Sequence, residues 1–469
     1  MRTHDDLPAW SARAAAWIRD YHAGLRDRPV RARIRPGDLL AALPPAAPDA
    51  PEDPDAIFAD FERLIPGALT HWQHPRFFAY FPANASPASM LAEQLVAGIA
   101  AQGMLWQTSP AATELEQGMM IWLRGALGLP DGMTGTIHDS ATTATLSAVL
   151  TMRERALGFA GLTDGLSGAP LLRIYASAHT HSSVDKAVRL AGIGQANLIK
   201  IPTRADLSMD PDALGAAIAA DRAAGHVPAG VVFCAGGTGV GAFDAIGECL
   251  PRCDGLPTHL DAAWAGSAMV CPEFRDLWDG AAGCESIVLN PHKWMGAQFD
   301  CAVQFMRDPT DQVNTLGLRP DYLRTLEGED VVNFNEWTVP LGRRFRALKL
   351  WFVLRAYGLD GIRSRIRDHV DWAEALCERL RDVDGLVIAS EPRLALFSFA
   401  CAEGDDATEA LVQAINADGR VYLTQTRHDG RLVIRVSVGS WDCTRDDVMC
   451  VAEVVENLMR AGAGAVASG

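Results

Sequence analysis

Lys293, in Asn290-Pro291-His292-Lys293-Trp294, is the residue best placed for covalent chemistry. It follows an apolar run and has aromatic and apolar neighbours, and burial disfavours the charged ammonium. A neutral amine attacks an aldehyde to form a Schiff base; a surface-loop lysine would not. Asp261, in His259-Leu260-Asp261-Ala262-Ala263-Trp264, ends a second apolar run, where a carboxylate needs a partner. A protonated ring nitrogen would serve and would keep that ring able to accept electrons; a helix N-cap would use the carboxylate equally well. Ser140-Ala141-Thr142-Thr143 precedes an Ala/Leu-rich helical segment. Hydroxyls and free N–H groups at a helix N-terminus suit a phosphate, although Ser and Thr also cap helices with no ligand. His181 is placed at a strand-to-helix junction by a capping-box pattern of Ser182 and Asp185. Its flat ring could stack on a planar group or be a plain loop residue. These bland readings weaken only because the four features occur together.

The elements that must position these residues follow from hydrophobic patterning. Apolar runs start at Leu171 (LLRIYAS), Gly230 (GVVFCAGG), Thr258 (THLDAAWAG) and Ser286 (SIVLN), with helical segments between them. That alternation predicts an α/β fold with a mostly parallel sheet covered on both faces, and ligands in such folds bind beyond the carboxyl ends of the strands. Thr113 to Leu127 places Leu115, Met119, Trp122 and Ala126 on one helical face. From about Gly358 a smaller α+β region is expected. In it Leu432, Ile434, Val436 and Val438 alternate with Val433, Arg435 and Ser437. A last helix starts near Thr444, capped with Asp447 and striped by Val448, Val451, Val455 and Leu458. The first seventy or so residues look helical but poor in core, and the Pro/Asp-rich stretch Leu43 to Asp55 that divides them should be extended. Such an arm packs on something else, for which a second subunit is a candidate. The expected regions are an N-terminal helical arm (1–84), a large α/β domain (85–357) and a small C-terminal α+β domain (358–469).

The net charge, 42 − 58 = −16, argues against nucleic acid or an anionic membrane surface as partner. Ten cysteines form no CxxC pair and no zinc-like cluster, so no metal is expected and they read as core residues. The N-terminus lacks a signal-peptide core, no run is long enough to span a bilayer, and a reducing cytoplasm is the simplest compartment.

With these residues in view, the chain resembles the group II decarboxylases that depend on pyridoxal 5′-phosphate (PLP), most closely the aromatic-L-amino-acid decarboxylases. The similarity runs from about Trp17 to about Arg460. It is dense in THW…FFAYFP (Thr70 to Pro82), SPAATELE (Ser109 to Glu116), HLDAAWAGSAMVCPEFR (His259 to Arg275), NPHKW and PLGRRFRALKLWF (Pro340 to Phe352). The resemblance implies an aspartate-aminotransferase-like fold, decarboxylation of an aromatic L-amino acid, and homodimers whose N-terminal arms embrace. It implies that Lys293 carries PLP as a Schiff base, with His292 close by. Asp261 would pair with the pyridine nitrogen, Ala263 would touch the ring and His181 would stack on it. Ala141, Thr142 and Asn290 would hold the phosphate with Ser140 nearby, and Thr238 would lie against the cofactor on the strand next to Asp261. Trp72, Tyr80, Phe81 and Pro82 would shape the substrate side.

The sequence departs from the family where a mobile loop carries a catalytic tyrosine, three residues before the tryptophan that leads into PLGRRF. That tryptophan is Trp337 and the position holds Phe334. After CO₂ leaves, Cα needs a proton, and the tyrosine hydroxyl is the expected donor. Phenylalanine has none, so O₂ could attack as a co-substrate and the products would be an aldehyde, ammonia and hydrogen peroxide. Phenylalanine here resembles the pattern of plant aromatic aldehyde synthases. Alternatively His181, His292 or a water supplies the proton and an amine forms. In the pocket, Ala83 stands where relatives often have threonine, and Gln102 and Met104 replace more usual aliphatic and aromatic residues. A wider, slightly polar pocket for an indole or hydroxylated ring would follow. Glutamate, cysteine sulfinate or diaminobutyrate are rival substrates, against which Trp294 and the aromatic Tyr80-Phe81-Pro82 lean. A PLP-binding protein without turnover is disfavoured by the intact Lys293, Asp261 and His181.

Overall fold

The computed structural model describes residues 4–318 and 331–467. The chain forms two compact units: one from the chain up to Pro82 with Trp372–Ala389 and the chain from Ser398, the other from Ala83–Asp371 with Ser390–Phe397.

The second unit is built on seven strands: β1 (Thr134–His138), β2 (Leu172–Ser177), β3 (Leu198–Ile201), β4 (Val227–Cys234), β5 (Thr258–Asp261), β6 (Ser286–Leu289) and β7 (Ala302–Met306). Their order is β1-β7-β6-β5-β4-β2-β3. Pairing is parallel from β3 across to β6, and β7 is antiparallel to β6 and β1. Every residue of β5, β6 and β7 is buried, as both covered faces require. Val149 and Met152, of helix Ala141–Ala156, pack with Ile174, Val184, Val188 and Val232; each such side chain contributes roughly 1.5–3 kcal/mol by burial. The four apolar runs read from the sequence are β2, β4, β5 and β6. The other three strands do not stand out as apolar runs, because β1 and β7 carry Gly135, Thr136, His138 and Gln304, and β3 is four residues long with exposed Lys200.

The helix expected over Thr113–Leu127 spans Pro110–Leu127, but its buried face differs from the expected one. Trp122 is 49% exposed, and the inward positions are Ala112, Glu116, Met119, Met120, Leu123 and Ala126. A buried carboxylate, Glu116, occupies the centre of that face, and an apolar count cannot register it.

In the first unit, helices Leu7–Ala23 and Pro54–Leu64 bury none of their residues. They meet through aromatic rings, Trp17 edge-on to Phe61 at 4.8 Å and Trp10 against Phe58 at 6.1 Å. The Pro-rich stretch between them is irregular as far as Asp53, whose side chain caps the second helix, so Pro54 and Asp55 are already helical. Arg26 and Arg76 both reach the buried Asp447 carboxylate, at 2.7 and 3.0 Å. Asp447 also exchanges hydrogen bonds with Thr444 at the start of helix Arg445–Ala467, as the capping pattern predicts. Val448, Val451 and Val455 are buried in that helix.

Four further strands, β8 (Leu386–Arg393), β9 (Leu396–Cys401), β10 (Thr424–His428) and β11 (Arg431–Ser437), form a sheet of order β10-β11-β9-β8. β11 carries the expected alternation, and both of its faces are buried from Val433 to Ser437. Arg435 is buried there; it donates to the Tyr80 carbonyl at 2.7 Å, and its guanidinium lies over the Phe81 ring. All ten cysteines are buried and unbridged. Among the described residues no helix is long and apolar enough to cross a membrane, and no group of three or more His, Cys, Asp or Glu is placed to hold a metal ion.

Candidate active site

The carboxyl ends of β4, β5 and β6 lie in register in the second unit. Cys234 pairs with Asp261, and Asp261 with Val288. Past the strands the ladder continues: Ala235 N–H donates to the Asp261 carbonyl at 2.9 Å and Asn290 N–H to the Ala263 carbonyl at 2.8 Å. The sheet therefore gathers Asp261, Ala263 and Asn290 at one edge. Asp261 is buried, and its Oδ1 accepts from Ala263 N–H at 3.0 Å.

Lys293 sits in the one-turn helix Pro291–Trp294 that follows β6. Its neighbours fix it. The Trp294 ring stacks on Trp264 with centroids 4.8 Å apart, and its Nε1–H donates to His369 Nδ1 at 2.9 Å. Asn84 Nδ2 donates to the Lys293 carbonyl at 2.6 Å. Lys293 itself remains partly accessible while Pro291, His292 and Trp294 are buried. Trp294 is thus part of the core, and it carries no weight in choosing between aromatic and acidic substrates. His292 Nδ1 accepts from Cys301 N–H at 2.9 Å. Burial, reinforced by Lys293, pushes the His292 imidazole down to about 3.

His181 caps helix Ser182–Leu190 itself. Its Nδ1 accepts from Ser183 N–H at 3.1 Å and meets Ser183 Oγ at 2.9 Å. The capping box expected from Ser182 and Asp185 is replaced by this imidazole, whose acceptor nitrogen sits where a serine oxygen would. Capping through Nδ1 fixes the neutral Nε2–H tautomer. Burial lowers the affinity of this ring for a proton; Asp261 opposes that and Lys293 adds to it, so both charges act on His181.

Helix Ala141–Ala156 begins beside this edge, since Ala141 and Ala144 pack with Val288 and Ala263. Ser140 Oγ accepts from Thr143 N–H at 3.2 Å, and Asp139 takes the Ser140 and Thr143 hydroxyls. Thr238 lies in the loop after β4, not on the strand beside Asp261 where it was expected. β4 ends at Cys234, and the loop is shaped by Gly236 at φ +79°, where a Cβ would meet that of Ala265 at 2.5 Å.

These groups fit PLP. An amine for the aldehyde, a carboxylate for the ring nitrogen, a flat imidazole and a helix N-terminus for the phosphate are all contributed by the second unit. Asn290 Oδ1 is buried with no hydrogen-bond partner among the described residues, which marks a polar group that a ligand can complete.

The residues expected on the substrate side divide between the units. Trp72 stacks on Phe77 and Tyr80 in the first unit, where Phe81 and Pro82 are buried. Ala83, Gln102 and Met104 belong to the second unit. Gln102 Oε1 accepts from Arg343 N–H at 2.6 Å, and the Met104 carbonyl accepts from Asn335 N–H at 3.1 Å. Both are therefore tied to the segment that carries Phe334. Phe334 is 1% exposed and packs with Met306, Val313, Val332 and Trp337. The residues before it, 319–330, where the expected loop would run, lie outside the described residues. Sequence reasoning missed the polar groups around this segment: Arg343, buried against Glu116 at 2.6 Å, and the glutamines Gln304 and Gln312. Their only signal is an uncompensated polar residue within an apolar or helical pattern.

The comparisons with known proteins agree with this architecture. The chain is 37% identical over 440 residues to the aromatic-L-amino-acid decarboxylase of Rattus norvegicus, covering 90% of this chain and 91% of the relative. It is 34% identical over 444 residues to the phenylacetaldehyde synthase of Arabidopsis thaliana, covering 90% of each. The crystal structure of Oryza sativa TDC with PLP and tryptamine superposes with a TM-score of 0.95 at 32% identity, over 98% of this chain and 99% of that one. Residues 36–402 match the pyridoxal-dependent decarboxylase conserved domain, and the chain belongs to that family, as a PLP-dependent carboxy-lyase of its aromatic-amino-acid group, which includes aldehyde synthases.

Proposed function

We propose that the protein decarboxylates an aromatic L-amino acid and, because residue 334 is phenylalanine, releases mainly the arylacetaldehyde. The balanced reaction is amino acid + O₂ + H₂O → aldehyde + CO₂ + NH₃ + H₂O₂. PLP, when bound, supplies the electron sink that lets the carboxylate leave. Lys293 would present the amine that holds the cofactor aldehyde, Asp261 would keep the ring nitrogen protonated, and His181 would offer its flat ring to the cofactor. Ser140, Ala141, Thr142 and Asn290 would receive the phosphate, with Thr238, Ala263 and His292 beside the cofactor. The bare arm helices support a homodimer as the working form.

One observation carries the product assignment: the ring at 334 has no proton to give, and the two histidines that could replace a tyrosine are poor acids. His292 is held neutral by a value near 3, and His181 is held neutral by burial and by its Nδ1 cap. A neutral imidazole donates a proton reluctantly. The experiment is to incubate holoenzyme in air with L-Phe, L-Tyr, L-DOPA or L-Trp and follow CO₂, amine, aldehyde and peroxide together. Aldehyde and peroxide in step with CO₂ are expected, and Phe334→Tyr should move the product toward amine. Amine alone from the wild type would remove the aldehyde reading and leave a simple decarboxylase. A Lys293→Ala protein that keeps the yellow absorbance of tightly bound cofactor would remove the assignment of the lysine.

A further inference from the structure

Gln304 on β7 and Gln312 on helix Thr310–Leu316 exchange two amide hydrogen bonds of 3.0 Å each. Gln304 Oε1 also meets His138 Nε2 at 2.8 Å, and Gln312 Nε2 donates to the Trp337 carbonyl at 2.8 Å. All three side chains are buried. Trp337 closes the turn that holds Phe334: its N–H donates to the Phe334 carbonyl at 3.1 Å, and Thr338 Oγ1 donates to the same carbonyl at 3.1 Å. Val313, next to Gln312, packs in the cluster of Phe334 and Trp337. At its other end the relay starts from His138, two residues before the Ser140 cap.

Apolar side chains would fill this space with less desolvation. A buried polar network with fixed donors instead specifies one geometry. Here the donor directions are determined: both Gln312 amide hydrogens are used, one toward Gln304 and one toward Trp337, and a neutral His138 donates from Nε2. We propose that the His138–Gln304–Gln312 relay is a positioning device for residue 334, with Gln312 the positioning residue that holds the Trp337 carbonyl and so the Phe334 turn. This rests on the reading of position 334 given above, so the test includes a measurement that is independent of the product.

Hydrogen exchange of the Glu336 and Trp337 amides would be followed in holoenzyme carrying Gln312→Leu, and in the double variant Gln304→Met/Gln312→Leu. The double variant removes both amides together and decides the matter if the single variant does not fold. Exchange at these amides is expected to rise about tenfold, the equivalent of about 1.4 kcal/mol of local opening, with the cofactor absorbance retained. A changed aldehyde-to-amine split should accompany it, or a lower kcat at constant KM if the wild type makes amine alone. Unchanged exchange overturns the proposal, as does raised exchange with wild-type kinetics and products. The wild-type product assay judges the aldehyde reading separately.

Discussion

The guanidinium carbon of Arg343 lies 4.8 Å from the centroid of the Phe334 ring, and Trp337 meets the same ring edge-on at 5.5 Å. Residue 334 is therefore held in a cage of one cation and several apolar groups, in a segment zipped to Gly103 and Met104 by backbone hydrogen bonds. A hydroxyl introduced into that cage must find a partner or remain buried without one, which costs roughly 1–3 kcal/mol. Phe334→Tyr should accordingly lower stability by about 1–3 kcal/mol while it moves the product toward amine. Thermal unfolding checks this: a loss of roughly 1–2 °C per kcal/mol is expected for a chain of this size, and a variant as stable as wild type would show that the hydroxyl is accommodated.

The cation of that cage depends on Glu116. Its Oε1 takes Arg343 Nη2 at 2.6 Å, Thr136 Oγ1 at 2.9 Å and Ile137 N–H at 2.8 Å, all buried. Replacing the carboxylate by an amide leaves a buried guanidinium without its counter-charge, and breaking such a pair costs about 3–5 kcal/mol. Glu116→Gln should lower the urea midpoint by a corresponding amount. A loss below about 1 kcal/mol would mean that the Ile137 and Gly103 carbonyls suffice for Arg343.

Much of this was legible in the sequence because the strands that carry the site are buried on both faces. Runs such as Ile287–Leu289 are apolar throughout, and the residue that ends or follows a strand, Asp261 or Asn290, is conspicuous for being polar. The cap on Ser182–Leu190 is not the serine that propensity favours: the imidazole of His181, one residue earlier, takes the free N–H of Ser183. The face of Pro110–Leu127 differs for a related reason: the partners that let Glu116 turn inward, Thr136 and Ile137 on β1 and Arg343 more than two hundred residues later, lie outside the helix. The relay is only half visible locally: Gln304 is a polar residue within the apolar strand β7, but its partners His138 and Gln312 come from another strand and from the next helix, and no periodicity pairs them.

Trp294 is the anchor of the lysine turn. It is 1% exposed, stacks on Trp264 and donates to His369. Trp294→Ala should cost about 3–5 kcal/mol, as other buried aromatic truncations do, and should loosen the turn that presents Lys293. Denaturant unfolding of holoenzyme and the retention of yellow absorbance on dialysis measure the two effects. Full stability with full cofactor retention would contradict the anchoring role.

Acid should unfold the protein early, and buried histidines give the sign. Burial pushes His138, His292 and His369 down to about 3, and His74 and His259 down to about 4. An unfolded histidine titrates near 6.5, so between that value and about 4 the unfolded chain binds protons that the native state refuses. Their contribution is complete above about pH 6.5 and is lost as pH falls, by up to roughly 1.4 kcal/mol per pH unit for each ring. Asp244 acts in the opposite direction. Burial raises its carboxyl to about 7, so below that value the native state holds its proton and is favoured by acid down to the ordinary carboxylate range. Five rings against one carboxyl set the net direction: the urea midpoint should fall between about pH 7 and about pH 5.5. His369→Gln, which removes one of the five, should flatten that dependence, and a midpoint that holds steady or rises on acidification would show that these rings accept protons within the folded protein.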